Sequence, residues 1–283
     1  MPPAGPVDKS ETMRWTVEQR LAFIADRLAW EGSVNRRDLV EQFGISPNQA
    51  TGDFNRFAEY YPEALDYDRQ EKTYRPGPKF VDVPHRGSNE LLSELRLIGE
   101  GILGAAAGLF TSPPEIVVAE APVRPVPDAT LAAVIAAIRQ SRQVHCRYRS
   151  FSTMELKPRV LEPFALVFDG FRWHVRGFDT GQQKFRDFVL GRLDSPELGD
   201  AAHMRREDDP EWMEHETLTI IPHPGLTEPQ RQAIVIDYGM SDGCLRLTPR
   251  KALAFYVKKR LGLLEGHKER KPEEQHIVLL NDD

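Results

Sequence analysis

NRRDLVEQFGISPNQATGDFNRFAEYY, residues 35–61, decides the first domain. Asn35 is an N-cap residue ahead of Leu39, Val40 and Phe43, which share one side of a short helix, and Gly44 is placed to end that helix. Ser46-Pro47-Asn48-Gln49 then supplies an N-cap, a proline at the first helical position and a capping-box partner in order. The helix it opens carries Ala50, Phe54, Phe57 and Tyr61 on one stripe, so Asn48, Thr51, Gly52, Asn55 and Arg56 turn outward, with Gln49 at the edge. Helix, Gly-Ile-Ser turn, helix is the predicted arrangement.

Upstream, Thr16-Val17-Glu18-Gln19 has the form of a capping box, and Val17, Leu21, Ile24 and Leu28 recur at helical spacing up to Gly32. Downstream, Leu65 to Asp68, a turn through Arg69 to Lys72 and then Thr73 to Arg75 read as a hairpin, which Pro76-Gly77-Pro78 closes. Three helices followed by a hairpin make a winged helix-turn-helix, whose second motif helix enters the major groove of DNA. Asn and Gln can pair with adenine edges, Arg with guanine or phosphate, and a glycine admits close approach. The expected contacts to double-stranded DNA are therefore Asn48, Gln49, Thr51, Gly52, Asn55 and Arg56 from the helix, with Arg69, Lys72 and Arg75 of the wing on phosphate.

The chain has 283 residues and a formal net charge of −6, which is an unpromising total for a partner of DNA. Distribution matters more. Residues 131–205 hold 12 basic against 8 acidic side chains and form a net-positive block in an acidic chain. With 40% hydrophobic and 28% charged residues the composition is that of a globular protein. The longest apolar run, Ile102 to Phe110, is too short to span a bilayer, so no membrane association and a cytoplasmic location are expected. The two cysteines, Cys146 and Cys244, stand in no metal-binding spacing, and no cofactor or metal site is expected.

Beyond a linker to Gly87, Ser88 opens a helical segment whose Leu91, Leu92, Leu95, Ile98, Ile102, Leu103 and Phe110 form an apolar band suited to a partner chain. Pro113, Pro114, Pro122, Pro125 and Pro127 mark an extended connector, and Asp128 is read as the cap of a helix with Leu131, Val134, Ile135 and Ile138 inward. From Gln143 the period becomes two. Val144, Cys146 and Tyr148 alternate with His145, Arg147 and Arg149. A strand near Leu156 to Leu161 and a hairpin turning at Asp169-Gly170 follow, then a strand from Lys184 to Leu190; short strands after a helix suggest a small barrel. Residues 206–283 alternate strand and helix as a compact α/β end domain. The fold class expected is α+β and multidomain, with a winged helix-turn-helix over 1–80, a linker and helical dimerisation segment over 81–128, a β-barrel over 129–205 and an α/β extension over 206–283.

Leu161-Glu162-Pro163-Phe164-Ala165-Leu166, Arg172-Trp173-His174-Val175-Arg176-Gly177-Phe178-Asp179, Phe185-Arg186-Asp187-Phe188 and Gly191-Arg192-Leu193 together resemble the WYL domain. That domain is a ligand-sensing Sm-like barrel found behind helix-turn-helix domains in bacterial transcription factors. Domain order and the Ser46-Pro47-Asn48-Gln49 turn resemble, more narrowly, the repressors of the CBASS and BREX anti-phage defence operons. The resemblance implies a homodimer on a palindromic operator that responds to an anionic nucleotide or nucleic-acid signal, with the C-terminal extension contributing to dimerisation. The residues are compatible with this. Arg147, Arg149, Arg159, Arg172, Arg176, Arg186 and Arg192, with Tyr148, Ser150, Trp173 and His174, offer charge and stacking surface for such a ligand. The alternative is structural: those arginines pair with neighbours such as Asp187 and Asp194, and Trp173 belongs to the core.

Two enzyme-like patterns occur by letter. Gly99-Glu100-Gly101-Ile102-Leu103-Gly104 has dinucleotide-fingerprint spacing but follows a helix where the motif needs a strand. Gly239-Met240-Ser241-Asp242-Gly243 has the spacing of a nucleophile elbow, yet lies between a helix and a strand, the reverse of the required order. No enzyme is expected. A hydrolase using Ser241 is the alternative, with His267, His276 and Asp282 as candidate partners downstream, and an architectural DNA-binding protein without a ligand is a further one.

Overall fold

The computed structural model describes residues 9–104, 109–110, 113–119, 122–151 and 156–280. The chain divides into two compact units, Met1–Ala121 and Pro122–Asp283.

The first unit contains α1 (Lys9–Glu31), α2 (Arg36–Phe43), α3 (Pro47–Tyr60), β1 (Leu65–Asp68), β2 (Thr73–Pro76) and α4 (Ser88–Gly99). Leu21, Ile24 and Leu28 of α1, Leu39 of α2 and Ala50, Phe54 and Phe57 of α3 form its core. Both motif helices begin where their caps predict. The Asn35 side chain accepts from Arg37 N and Asp38 N, and Gly44 takes a left-handed φ of 63° after α2. Gln49 N donates to Ser46 Oγ at 3.2 Å while Ser46 N donates to Gln49 Oε1 at 3.0 Å. The box at Thr16 is not a start: α1 runs back through it to Lys9, and no proline or glycine from Lys9 to Thr16 interrupts the helix.

In the wing, β1 and β2 pair antiparallel with Asp68 opposite Thr73. Asp68 Oδ1 accepts from Gln70 N at 2.9 Å and Glu71 N at 3.1 Å, closing the turn. Val34 exchanges backbone hydrogen bonds of 3.0 and 2.8 Å with Tyr74, and the Tyr74 ring stacks on Phe54 at 4.1 Å, so the hairpin is welded to the helices.

The apolar band after the wing is not one helix. α4 ends at Gly99, Gly101 takes φ 71°, and Leu103 N folds back to Leu97 O at 3.1 Å. Leu91 is buried, whereas Leu92 and Ile102 are 62% and 65% exposed. Of Gly104 and Gly108, small residues of the band suited to close helix approach, Gly108 lies outside the described residues.

The second unit opens with α5 (Asp128–Gln140). Pro127 holds its N-cap position, so Asp128 is the first helical residue rather than the cap and makes no capping bond. Val134 and Ala137 point inward, while Ile135 is 38% exposed, against expectation. Five antiparallel strands follow, β3 (Arg142–Arg149), β4 (Leu156–Phe168), β5 (Trp173–Asp179), β6 (Lys184–Val189) and β7 (Leu193–Ala201), ordered β6-β5-β4-β3-β7. The outer strands β6 and β7 do not pair, so the sheet is not a closed barrel. Val144, Cys146, Leu161, Val175 and Phe188 cover α5 from one face of the sheet. Beyond a one-turn helix, α6 (Pro210–Met213), come β8 (Leu218–Pro222), α7 (Glu228–Asp237), β9 (Leu245–Leu247), α8 (Lys251–Arg260) and β10 (Ile277–Leu279), the strands forming a sheet ordered β10-β8-β9. Both cysteines are buried free thiols. Among the described residues no helix is long and apolar enough to cross a membrane.

Candidate functional site

Two surfaces carry the residues the sequence singles out, one in each unit. On the first, α3 is fixed by an ion pair that its sequence conceals. Asp53 is 1% exposed and takes Arg20 of α1 at 2.6 Å (Nε) and 3.1 Å (Nη2). Burying the aspartate and three apolar side chains on the inner face leaves Asn48, Asn55 and Arg56 exposed on the other. Asn48 and Asn55 have no side-chain hydrogen bond among the described residues, so their amides remain available to base edges. Arg56 lies 3.8 Å from Asp53 and is half exposed, a weak restraint that leaves the guanidinium free to turn outward.

Gln49 and Thr51 are partly committed. The Gln49 carbonyl accepts from the Ser46 backbone and hydroxyl, so only its NH2 group can meet a base while the capping box holds. Thr51 Oγ1 donates to Pro47 O at 3.0 Å, and Gly52 presents backbone to the solvent side with open space above it. Arg36 of α2 reaches Thr51 Oγ1 at 3.5 Å, which brings a further cation to this face. Nothing in the α2 sequence distinguishes it from the neighbouring Arg37, which pairs with Glu41 at 2.6 Å. In the wing, Arg69 and Lys72 are exposed, and Arg75 is held by Asp68 at 3.2 Å. Hydrogen bonds from Glu71 N and Arg75 keep the Asp68 carboxyl below its usual range, so it stays charged beside the wing cations.

On the second unit the cations that the sequence singles out do not converge, and several are already neutralised. Arg176 is 3% exposed, with Nε 2.8 Å from Asp209 and further contacts to Asp187 at 3.4 Å and Glu211 at 3.1 Å. Arg159 is bound to Asp179 at 3.1 Å, and Arg147 to Asp194 at 2.5 Å. His174 is buried with Nε2 2.9 Å from Asp169; the carboxylate can only accept, so that nitrogen carries the proton and Nδ1 is left without a partner. Trp173 is on neither the core nor this network. It is 48% exposed at the start of β5, packed on Phe168 at 5.0 Å.

Two of these arginines, Arg149 and Arg192, remain accessible close to the end of β3. Arg149 is exposed without a partner among the described residues, and Ser150 follows it. Tyr148 is opposite Leu193 and accepts at its hydroxyl from Val189 N at 3.1 Å, which draws the Leu190–Arg192 turn alongside. Arg192 lies 5.8 Å over the ring of Phe151, itself 84% exposed. Phe151 went unnoticed in the sequence because it follows the alternating run. Arg186 sits apart, exposed on the edge strand β6.

Ser241 lies in a tight turn between α7 and β9, the order that a nucleophile elbow excludes. His267 is buried with one nitrogen on Leu264 O and the other accepting from Leu279 N, each at 3.1 Å, so neither is open to a serine. Asp282 lies outside the described residues.

Known proteins match these surfaces in order. Residues 16–96 match the BrxR transcriptional regulator winged helix-turn-helix domain, residues 129–198 the WYL domain, and residues 215–283 the BrxR transcriptional regulator C-terminal dimerization domain. The DNA-binding transcriptional repressor CapW of Stenotrophomonas maltophilia is 35% identical, over 96% of this chain and 92% of its own. Its counterparts from Escherichia coli (strain KTE188) and Pseudomonas aeruginosa are each 34% identical, over 95% of this chain and 91% of theirs. The chain therefore belongs to the CapW family of DNA-binding transcriptional repressors, built from winged-helix, WYL and dimerisation modules of the BrxR type.

Proposed function

We propose that the protein is a homodimeric repressor of a phage-defence operon, which grips a palindromic operator with α3 and the wing and releases it when its WYL domain meets an anionic nucleotide or nucleic-acid fragment. The observation that carries the DNA-binding part is the outer face of α3: Asn48, Asn55 and Arg56 are exposed on a helix whose inner face is pinned by the buried Arg20–Asp53 pair. Rigid support under adaptable polar groups is what base readout requires. One recognition helix reads only a half-site, and the match of residues 215–283 to a dimerisation domain supports a pair of them.

Asn55→Ala/Arg56→Ala is the direct test. Each good base contact contributes about 1–3 kcal/mol, so a folded double variant should lose about a hundred-fold or more in operator affinity by gel shift. Unchanged affinity would remove this reading of the helix.

For the signal, Arg149, Arg192 and the Phe151 ring are the accessible charge and stacking surface at the end of β3. A ligand there can relieve repression only if it binds the DNA-incompetent arrangement more tightly than the competent one. Arg149→Ala/Arg192→Ala should leave operator binding intact while a promoter fusion in cells no longer responds to phage infection. Retained induction in that variant would exclude this surface as the sensor.

A further inference from the structure

A second basic site lies where the β4–β5 turn meets α8. It is a cavity of about 240 Å3 walled by Arg124, Arg172, Lys259 and Arg260. Phe171 and Tyr256 complete the wall, with Asp169 as its only acid among the described residues. Arg124, Lys259 and Arg260 have no ionic partner among the described residues. Asp169 does not balance them. Its Oδ1 accepts from Phe171 N and Arg172 N, each at 2.8 Å, and its Oδ2 from His174 Nε2 at 2.9 Å and, more weakly, from Arg172 Nε at 3.4 Å, so its charge is met inside the turn and leaves Arg124, Lys259 and Arg260 without a counter-charge among the described residues.

The geometry is built rather than incidental. Gly170 takes φ 95°, and a Cβ there would come within 2.8 Å of Arg260 Cδ. The positive φ favours glycine at this position, and the absence of a Cβ lets the Arg260 stem lie across the turn. Tyr256 is fixed by its hydroxyl, which donates to Asp187 Oδ2 at 2.9 Å, and by its ring, 5.0 Å from that of His174. Phe171, 61% exposed, stands at the rim with no ring partner among the described residues. Three unpaired cations gathered beside Arg172 repel one another, and an anion that enters relieves that repulsion while gaining charge-assisted hydrogen bonds.

We propose that this cavity binds a phosphate ester, with the phosphate held by Arg172, Lys259 and Arg260 and the adjoining planar ring on Phe171. A free nucleotide and the 5′-phosphorylated end of a nucleic-acid fragment share that chemistry. The site draws on no residue of the Arg149–Arg192 surface and stands independently of it. Apart from Arg124, its walls come from the segments that match the WYL domain and the dimerisation domain, so a ligand here would bridge the two.

The intact protein should be titrated calorimetrically with pyrophosphate, AMP and a 5′-phosphorylated thymidine dinucleotide at low and moderate salt. Pyrophosphate is expected to bind saturably and to raise the melting temperature, more weakly as salt increases. Whichever of AMP and the dinucleotide binds about ten-fold tighter than pyrophosphate identifies the source, and Phe171→Ala should abolish that preference without weakening pyrophosphate. Lys259→Ala/Arg260→Ala should weaken all probes by about ten-fold, whereas Arg149→Ala/Arg192→Ala should not. Both positions are exposed, so folding should survive, as a melting curve will verify. Absence of saturable binding to the wild type, or affinity unchanged in the Lys259/Arg260 variant, overturns the proposal. Loss confined to the Arg149/Arg192 variant overturns it too, while leaving the sensor surface at β3 standing.

Discussion

Asp53 holds its carboxylate in the core stripe of α3, spaced with Ala50, Phe54 and Phe57 as an apolar residue would be. A charge at such a spacing needs a partner from another element, and Arg20 supplies it bidentately. Asp53→Ala leaves a largely buried arginine unmatched and should cost about 3 kcal/mol in urea unfolding. Replacing both partners, as Arg20→Met/Asp53→Leu, should restore part of that; a double variant as unstable as the single one would mean that the pair is not the cause. Asp169 gives a pH signature. Burial alone would raise its carboxyl, but hydrogen bonds from His174, Phe171 N and Arg172 N outweigh it and bring the group down to about 2. A carboxyl depressed on folding contributes stability that is present above its unfolded value, about 3.9, and is lost as pH falls through the folded value. The wild type should therefore exceed Asp169→Asn by about 2 kcal/mol at pH 6, with the gap closing between pH 4 and 2. A gap independent of pH would point to shape rather than charge. Such residues are the least legible in a sequence, because Arg20, Arg176 and His174 find their acids 33, 33 and 5 positions away and nothing local names the partner.

Elements were the most legible scale, and the reason is local chemistry. Asn35, Ser46, Pro47, Gln49 and Gly44 satisfy or restrict backbone groups within a few residues, so their effect does not depend on the rest of the fold. The Asp169-Gly170 turn is read in the same way. Legibility failed where an element's continuation rests on packing. Leu91 to Phe110 has helical spacing throughout, yet the chain leaves the helix after Gly99. At α5 the apolar Ile135 stays 38% exposed while the small Ala137 is buried in the core with Val134. Gly177 carries a further constraint. It faces Pro163 at the bulge of β4, and a Cβ there would lie 2.6 Å from Glu162 O and 2.9 Å from Pro163 Cα. Backbone cannot step aside as a flexible side chain can. Gly177→Ala should destabilise by about 1–3 kcal/mol in thermal melts, and a neutral effect would show that the bulge yields.

At the scale of the whole molecule, what matters is which parts stand alone. The last of the three breaks that the sequence suggests falls after residue 205, where a strand-rich region gives way to an alternating one. The contacts place energetic weight later. Asp209, 1% exposed, caps α6 through Trp212 N and holds Arg176, and Glu211 completes the cluster from the same turn. Trp212 packs on Phe164 at 5.3 Å and under Arg250. Residues 209–212 are thus part of the five-stranded sheet's outer cover, although the sequence shows only a short acidic, proline-containing run. A chain ending at Ala201, Arg205 or any point before Asp209 strands a buried guanidinium, whereas one ending after Glu214 keeps its main partners. The longer truncation should fold and melt cooperatively, while the shorter one should be less stable by about 3 kcal/mol. Both lack residues 215–283, so both should run as monomers in light scattering and bind the operator far more weakly than the full chain. Full operator affinity in a monomeric truncation would mean that a single recognition helix suffices, and equal stability of the two would mean that Arg176 is satisfied without α6.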